Sequence, residues 1–552
     1  MTIAKPSTTI MCGSKPFWHE QGIVYSLAKV RVARILKVDV VLLIDKVFRR
    51  IGIEQFDVNE LLRRSENDEK VWDLYANGYT IGLNQVEQDG TKHKCMRYKP
   101  RNISELSAFV AAVRPGFKSM YNRFENREDF SYGLPSLDNL IQTEQFPYSY
   151  MIYQENIMSV LHYAGFPMDQ CYGIIKAIAK KHPEKVLPLK SQFIEGFKQK
   201  IIQDEGITEE KADEYSVMVW QVINDNVSYS FNSAHAYSVA LDSLYQAWQK
   251  ANYPFEFYEV LLQHYSDKGN KDKVTALRSE MRIAFGISEG AYKFHNDNRA
   301  FVLDKENNTI YPSLVSIKSF SQKVADALYR LGKNKYDTFI DLLLALNKVS
   351  VIRTNHLSTL ISIDYFSDFG NQRELTRISE FFYGIMKKGE VKEIKIESVR
   401  GTPVEDLIKK YATWTNKNGS ESKFYKIFDA FSLLYAYETL ILSLNIPDFE
   451  TNIRVKNFKE ALGYYGYTTG REEDRKTLCV TGVKPLKRKK DNKQFGYSVF
   501  TKSIGSGREA RFTVFNRTFK LEPLEEGDII FCDGWVREGE YFTLTDYRKC
   551  KT

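Results

Sequence analysis

The segment Tyr229-Ser-Phe-Asn-Ser-Ala-His235 sets an aromatic ring, an amide and an imidazole at the mouth of a helix. From Tyr237 the apolar residues fall at Ala240, Leu241, Leu244, Tyr245 and Trp248, the spacing of one helical face. His235 stands roughly 160° from Tyr237, on an edge with Ser238 and Asp242, so it does not merely fill out the main stripe. Asn232 or Ser233 supplies the N-cap, and the free N–H groups of the first turn would then favour an anion, although a plain helix start has the same pattern. In Asp169 to Lys181, Cys171, Ile175 and Ile178 make an apolar face while Lys176 and Lys180 share the other, one turn apart. Two ammonium groups so placed either grip an anion such as a triphosphate or form a solvated basic face. Leu36-Lys-Val-Asp-Val-Val-Leu-Leu43 is an apolar, β-branched run enclosing Lys37 and Asp39, which suits a buried strand. Asp39 there calls for a cation, or pairs with Lys37 or Arg34, or lies on a helix that exposes it.

These groups must be positioned by several domains, because the chain has 552 residues and single cores rarely grow past about 250 to 300. The formal charge of +8 is small for this size, so basicity has to be local to matter for phosphate binding. Six cysteines are scattered without a Cys-x-x-Cys pair, which argues against a zinc knuckle or a disulfide framework and fits a reducing cytoplasm. No apolar run reaches about 18 residues, so no membrane partner is expected. Toward the C-terminus, alternating β-branched and aromatic residues predict strands at Thr477–Leu486, Phe495–Lys502, Glu509–Phe515, Asp528–Gly534 and Tyr541–Thr545. Five short strands suit an OB barrel, which binds single strands with aromatics and basic loops. Lys484, Lys487, Arg488, Lys489 and Lys490 lie at the junction of its first two strands, a usual binding rim or a bare hairpin tip. Phe495 and Tyr497, with Phe512 and Phe515, are candidate stacking residues, of which alternation turns about half to the core.

Short motifs in colinear order give a resemblance. The Tyr229–His235 block resembles the Phe-Asn-Lys-Ser-His-Ala segment of the family C replicative polymerases, the bacterial DNA polymerase III alpha subunits. Thr80-Ile-Gly-Leu-Asn-Gln85-Val-Glu87 is similar to that family's Thr-x-Gly-Val-Phe-Gln-x-Glu, and Arg114-Pro-Gly116 to its Arg-Pro-Gly. Tyr153-Gln-Glu-Asn-Ile-Met158 resembles Tyr-Gln-Glu-Gln-Val-Met, and Lys176-Ala-Ile-Ala-Lys-Lys181 resembles Arg-Ala-Met-Gly-Lys-Lys. Phe369-Gly-Asn-Gln-Arg373 matches a further signature.

The resemblance implies a DNA-directed polymerase using two Mg2+ ions, deoxynucleoside triphosphates, a primer-template and single-stranded template. It makes Lys37 and Asp39 part of a palm strand, with Asp39 one of the metal-binding carboxylates. Lys176, Lys180, Tyr229, Asn232 and His235 then bind the nucleotide, His235 as a phosphate donor and Tyr229 packed on base or sugar. The departures matter too. The family's tandem Arg-Arg is Ile175-Lys176 here and its Lys in Phe-Asn-Lys-Ser-His is Ser233, so the phosphate grip is weaker or differently shared. The family's Asp-x-Asp pair should lie upstream of Asp39, yet residues 1–38 hold no Asp and only Glu20 as an acid. Two-metal phosphoryl transfer needs several carboxylates. The chain therefore reads as the C-terminal polypeptide of a split, phage-like or bacterial enzyme, sharing its two metals with an N-terminal partner chain and inactive alone.

The fold expected is mainly α, with a short palm β segment and a C-terminal all-β OB barrel. The domains expected are partial palm 1–48, fingers 49–266, a helix-hairpin-helix region 267–380, a helical connection 381–475 and the OB module 476–552. At the hairpin, Ser319-Phe-Ser321 replaces the family's Gly-x-Gly, which puts DNA contact there in question. A sliding clamp is a family partner, but no Gln-x-x-Leu-x-Phe-like peptide is legible. The alternative function is a non-catalytic single-stranded DNA-binding replication accessory.

Overall fold

A computed structural model describes residues 38–53, 57–114, 117, 120–143, 146–180, 183–227, 231–387, 390–391, 393–416, 419–488, 491–538 and 541–550. The chain divides into two compact units, Met1–Leu261 and Leu262–Thr552. Among the described residues no helix is long and apolar enough to cross a membrane.

The run expected as a palm strand is helical: Val38–Arg50 forms α1. Val40, Leu43, Ile44, Val47 and Phe48 are buried at helical spacing. Read only to Leu43 the run has no period that separates strand from helix, and its continuation to Phe48 decides the matter. Asp39 lies in the first turn of α1 with its side chain outside the described residues, and Lys37 lies wholly outside them. Helices α2 (Val58–Glu66), α3 (Glu69–Ala76) and α4 (Asp89–Tyr98) follow, then α5 (Ile103–Ala112). Asp57 and Asp68 cap the first two of these by accepting first-turn N–H bonds.

A second core forms from α6 (Gln154–Tyr163), α7 (Met168–Ala179), α8 (Pro183–Glu205) and α9 (Glu209–Asn226), around Ile157, Val160, Phe193, Phe197 and Trp220. The long helix α10, Ser233–Asn252, packs against α1, α2, α3 and α5. Its apolar stripe is only part of its buried surface. Ala240, Leu244, Tyr245 and Trp248 are buried as expected, but so are Asp242, Ser243, Gln246, Gln249 and Lys250 on the polar side. Four of these polar groups have distant partners. Ser243 Oγ meets Tyr75 OH at 2.9 Å, Gln246 Oε1 accepts from Asn84 N at 2.8 Å, Gln249 Nε2 donates to Ile44 O at 2.8 Å, and Lys250 Nζ donates to Tyr79 O and Ile81 O, both at 2.8 Å. The 79–87 segment thus folds onto α10, closed by Thr80 Oγ1 donating to Val86 O at 2.9 Å. Gly82 sits there at φ +82°, where a Cβ would run into Leu261.

The second unit opens with α11 (Lys271–Phe285) and a small sheet in which Thr309–Tyr311 lies between Ser288–Glu289 and Val302–Asp304. Helices α12 (Gln322–Leu331), α13 (Phe339–Asn347), α14 (Thr354–Ser362) and α15 (Gln372–Ile385) share one core with α16 (Ala430–Ser443). The buried carboxylate of Glu438 on α16 accepts from Phe339 N at 2.7 Å and Ile340 N at 3.1 Å, satisfying the start of α13. Asn371 caps α15 in a capping box with Glu374. The 381–475 stretch, expected as helical, also carries strands at Ile394–Lys395, Ala412–Thr415 and Glu421–Ile427 between its helices. In the loop before α12, Ser319 holds φ +72°, the left-handed backbone that favours glycine.

The last strands are β1 (Thr477–Lys487), β2 (Gln494–Ser503), β3 (Glu509–Phe515), β4 (Ile529–Glu538) and β5 (Tyr541–Lys549). They close in the order β2-β3-β5-β4-β1, with β3 and β5 parallel and the other pairs antiparallel. A short helix, Asn516–Leu521, links β3 to β4. Val480, Val499, Val514, Ile530 and Leu544 fill this OB-like barrel.

Candidate functional site

Four motif segments converge at the start of α10. Asn232 takes the N-cap position and its side chain accepts from His235 N at 2.9 Å. Ser233 N donates to Glu155 Oε2 at 2.8 Å, and Asn232 Nδ2 donates to Glu155 Oε1. Glu155 stands on α6 directly after Tyr153-Gln154, which joins the strand-like residue Phe231 through a Tyr153 bridge and Gln154 N to Phe231 O at 2.9 Å. The Tyr-Gln-Glu and Phe-Asn motifs are therefore one structural unit. Glu155 is 2% exposed; burial pushes its carboxyl above the usual range while the Ser233 N–H pulls it back. This corrects one expectation. The Ser233 and His235 N–H groups at the mouth of α10 are not free for a ligand, because Glu155 and Asn232 already take them.

Anion contacts at this mouth must come from side chains. The His235 ring lies 4.7 Å from that of Phe231, and the Arg114 guanidinium stacks 4.6 Å from the Phe231 centroid. Arg114 Nη2 donates to Gln85 Oε1 at 3.4 Å, and Gln85 is held at φ +65°. Burial, then the neighbouring Arg114 charge, holds His235 below its ordinary value, and its buried Nδ1 has no hydrogen-bond partner. The group offers a permanent cation and an imidazole beside one aromatic ring. Arg114 and Gln85 are visible in the sequence as motif letters; only the fold brings them beside His235.

Lys176 projects from α7 into solvent over the Tyr172 ring at 4.2 Å, and Lys180 is exposed at the end of the same helix. Cys171, Ile175 and Ile178 are buried on the other face, joined by Ile174. The described contacts that join Gln85, Arg114, Glu155, Phe231, Asn232 and His235 do not include either lysine. Tyr229 lies outside the described residues. Among the described residues no three His, Cys, Asp or Glu side chains are grouped to hold a metal, so these residues alone do not fit a two-ion site.

On the barrel, Lys484, Lys487 and Arg488 are exposed, and Lys489 and Lys490 lie outside the described residues. Two of the four stacking candidates turn to the core. Tyr497 is stacked on Phe519 at 3.7 Å and packs against the core, and Phe512 is in the core, so neither is a free platform. Phe495 leans on exposed Phe515 at 6.3 Å. The outward face is instead built on Phe500, with Lys484 Nζ at 5.5 Å and the Arg511 guanidinium at 5.6 Å from its ring, and Arg511 Nε donating to Ser498 Oγ at 2.6 Å. Phe495 is an extra residue between the paired Gln494 and Gly496, so it leaves the alternation that turns Tyr497 and Val499 inward and Phe500 outward.

Residues 42–201 match the family model of the bacterial DNA polymerase III alpha subunit finger domain. The DNA polymerase III subunit alpha of Ureaplasma parvum is 27% identical over 445 residues, covering 74% of this chain and 43% of that protein. Those of Campylobacter jejuni and Aquifex aeolicus are each 28% identical, over 56% and 54% of this chain and 25% of their own length. The chain thus spans less than half the length of these relatives. Motif order, a helical fold ending in a closed barrel, and these matches identify the chain as carrying a region related to the alpha subunit of bacterial DNA polymerase III.

Proposed function

We propose that this chain supplies the nucleotide-gripping and strand-binding parts of a DNA-directed DNA polymerase, a cytoplasmic replication enzyme acting on deoxynucleoside triphosphates and a primer-template. The observation that carries this reading is the convergence of Gln85, Arg114, Glu155 and Asn232–His235, drawn from four separate motifs, at one helix start. Arg114 and His235 bind phosphate oxygens, Phe231 holds both in place, and Lys176 and Lys180 add charge along α7. Glu155 and Asn232 position rather than bind, since their polar atoms are spent on fixing the α10 N-terminus. Asp39 contributes one carboxylate toward the Mg2+ ions, and a partner polypeptide brings the Asp-x-Asp pair. Primer extension with Mg2+ and all four deoxynucleotides tests this: the pure chain gives no product, and adding a chain with the missing carboxylates restores it. Robust extension by the pure chain would sink the shared-site reading.

In the reconstituted enzyme, His235→Ala or Lys176→Ala is expected to raise the KM for nucleotide about tenfold or more, the worth of one charge-assisted hydrogen bond. Single-strand binding should stay within about twofold of wild type, because the barrel is a separate site. The Phe500 face favours a second contribution, or in the alternative the whole function, as a single-stranded DNA binder. If Lys487, Arg488, Lys489 and Lys490 meet phosphates, replacing all four by Ala flattens the salt dependence by roughly 0.7 in log–log slope for each phosphate no longer neutralised. Titrating a labelled oligonucleotide at several salt concentrations reads this directly. An unchanged slope would leave the loop a bare hairpin tip.

A further inference from the structure

The three-stranded sheet between α15 and α16 has two unlike faces. Glu421–Ile427 is its central strand, antiparallel to Ile394–Lys395 on one side and to Ala412–Thr415 on the other. Tyr425, 1% exposed, faces the helical core together with Ile394 and Ile427. The short helices Ile396–Val399 and Pro403–Lys409 pack into that same core through Ile396, Leu407 and Ile408, and Glu405 Oε1 accepts from Tyr425 OH at 2.7 Å. Alternation puts Phe424, Lys426 and Phe428 on the opposite side, and the register sets Lys395 beside Phe424 and Thr413 beside Lys426.

That outer side is open to solvent. Phe428 is 66% exposed, and its N–H donates to Tyr411 O at 3.0 Å, so the ring stands on ordered backbone. Phe424 is half-buried and lies outside the core, Lys395, Thr413 and Lys426 are exposed, and Phe431 in the first turn of α16 is 53% exposed. Lone surface aromatics are common, but rings alternating with ammonium groups along one strand form a distinct pattern. Rings offer faces to bases and ammonium groups reach phosphates, the combination by which sheets hold single strands. An apolar protein partner would instead bury Lys395 and Lys426 between the rings without an acceptor. The nearby carboxylates limit the charge. Asp429 is spent on Ser432 N at the cap of α16 and Glu405 also holds Lys409 at 3.1 Å, but Glu393 and Glu397 flank Lys395, and Glu421 stands at the far end of the central strand. Stacking therefore carries more of the affinity than phosphate contact.

We propose that this sheet face binds a single DNA strand, with bases stacked on Phe428 and Phe424 and phosphates taken by Lys426 and Lys395. The choice of a single strand rests on the face itself, since a duplex keeps its base faces stacked on one another. The choice of DNA rests on the polymerase reading. The site shares no residue with the barrel.

Anisotropy titration of the full chain with labelled oligodeoxythymidine tests it, in a background where Lys487, Arg488, Lys489 and Lys490 are already Ala so that the barrel loop does not mask a second site. Phe428→Ala should weaken binding about fivefold or more, while Phe428→Trp, which keeps a ring, holds it. Lys395→Ala together with Lys426→Ala should flatten the salt dependence by roughly 0.7 in log–log slope for each lysine. On irradiation, an oligomer carrying 5-iododeoxyuridine should crosslink to the 421–431 peptide. Affinity within about twofold of the parent in folded Phe428→Ala, or crosslinks confined to other peptides, overturns the proposal. If primer extension by the reconstituted enzyme is intact in that case, this site fails and the polymerase reading stands. Tighter binding of oligouridine than of oligodeoxythymidine overturns the assignment to DNA.

Discussion

Lys250→Ala is expected to cost about 3–5 kcal/mol of unfolding free energy, the largest single effect in the first unit. Lys250 is 0% exposed, its ammonium donates to Tyr79 O and Ile81 O at 2.8 Å each, and its charge lies 5.5 Å from the rings of both Phe257 and Tyr258. Truncation leaves two part-buried carbonyls without these donors, at about 1 kcal/mol or more each, and removes the packed stem as well. Lys250→Met keeps the stem but not the donors, so it should recover about 1–2 kcal/mol of the loss. Urea unfolding of the three proteins measures the difference, and hydrogen exchange should show residues 79–87 losing protection first. The same segment carries Gln85, so nucleotide use in the reconstituted enzyme should fall with it. A loss under about 1 kcal/mol for Lys250→Ala would mean that the segment is held by something else.

Asp242→Asn should stabilise the chain at pH 8 by about 3 kcal/mol and change little at pH 4. Asp242 is 9% exposed on α10, its Oδ2 has no hydrogen-bond partner, and burial pushes its carboxyl up to about 7. Because the folded value lies above the unfolded one, the folded state holds the proton more tightly. Its contribution is fully present below about pH 4 and is lost as pH rises through about 7. The amide cannot ionise, so the variant's stability should be flat over that window where the wild type declines. Denaturant unfolding from pH 4 to 8 reads both curves. Parallel curves would show that water or a neighbour solvates Asp242 in the folded state.

Legibility in the chain differs from element to element. The Val38–Arg50 helix passes for a strand because a run of Val and Leu has no period until it is followed to Phe48. Helix α10 and its Asn232 cap are legible, but its polar edge reads as open when it is buried. The residues that bury it, Tyr75, Asn84, Tyr79 and Ile44, lie between about 160 and 210 positions away. In the barrel the strands are legible and their outward face is not, since the bulge at Phe495 in β2 breaks the alternation that the residue types suggest.

Features that depend on neighbours a few residues away are written in the chain: the caps at Asn232 and Asn371, the apolar face of α7, the strands of the barrel and the order of the motifs. Hydrogen bonds within a turn and alternation within a strand are set by local geometry, and the residue types state them directly. Packing between remote segments sets the rest. It stacks Arg114 on Phe231 beside His235, gives the start of α10 to Glu155 rather than to a ligand, and turns Phe500 rather than Tyr497 outward. Those outcomes follow from which distant surfaces exclude water from one another, and no local pattern carries that information.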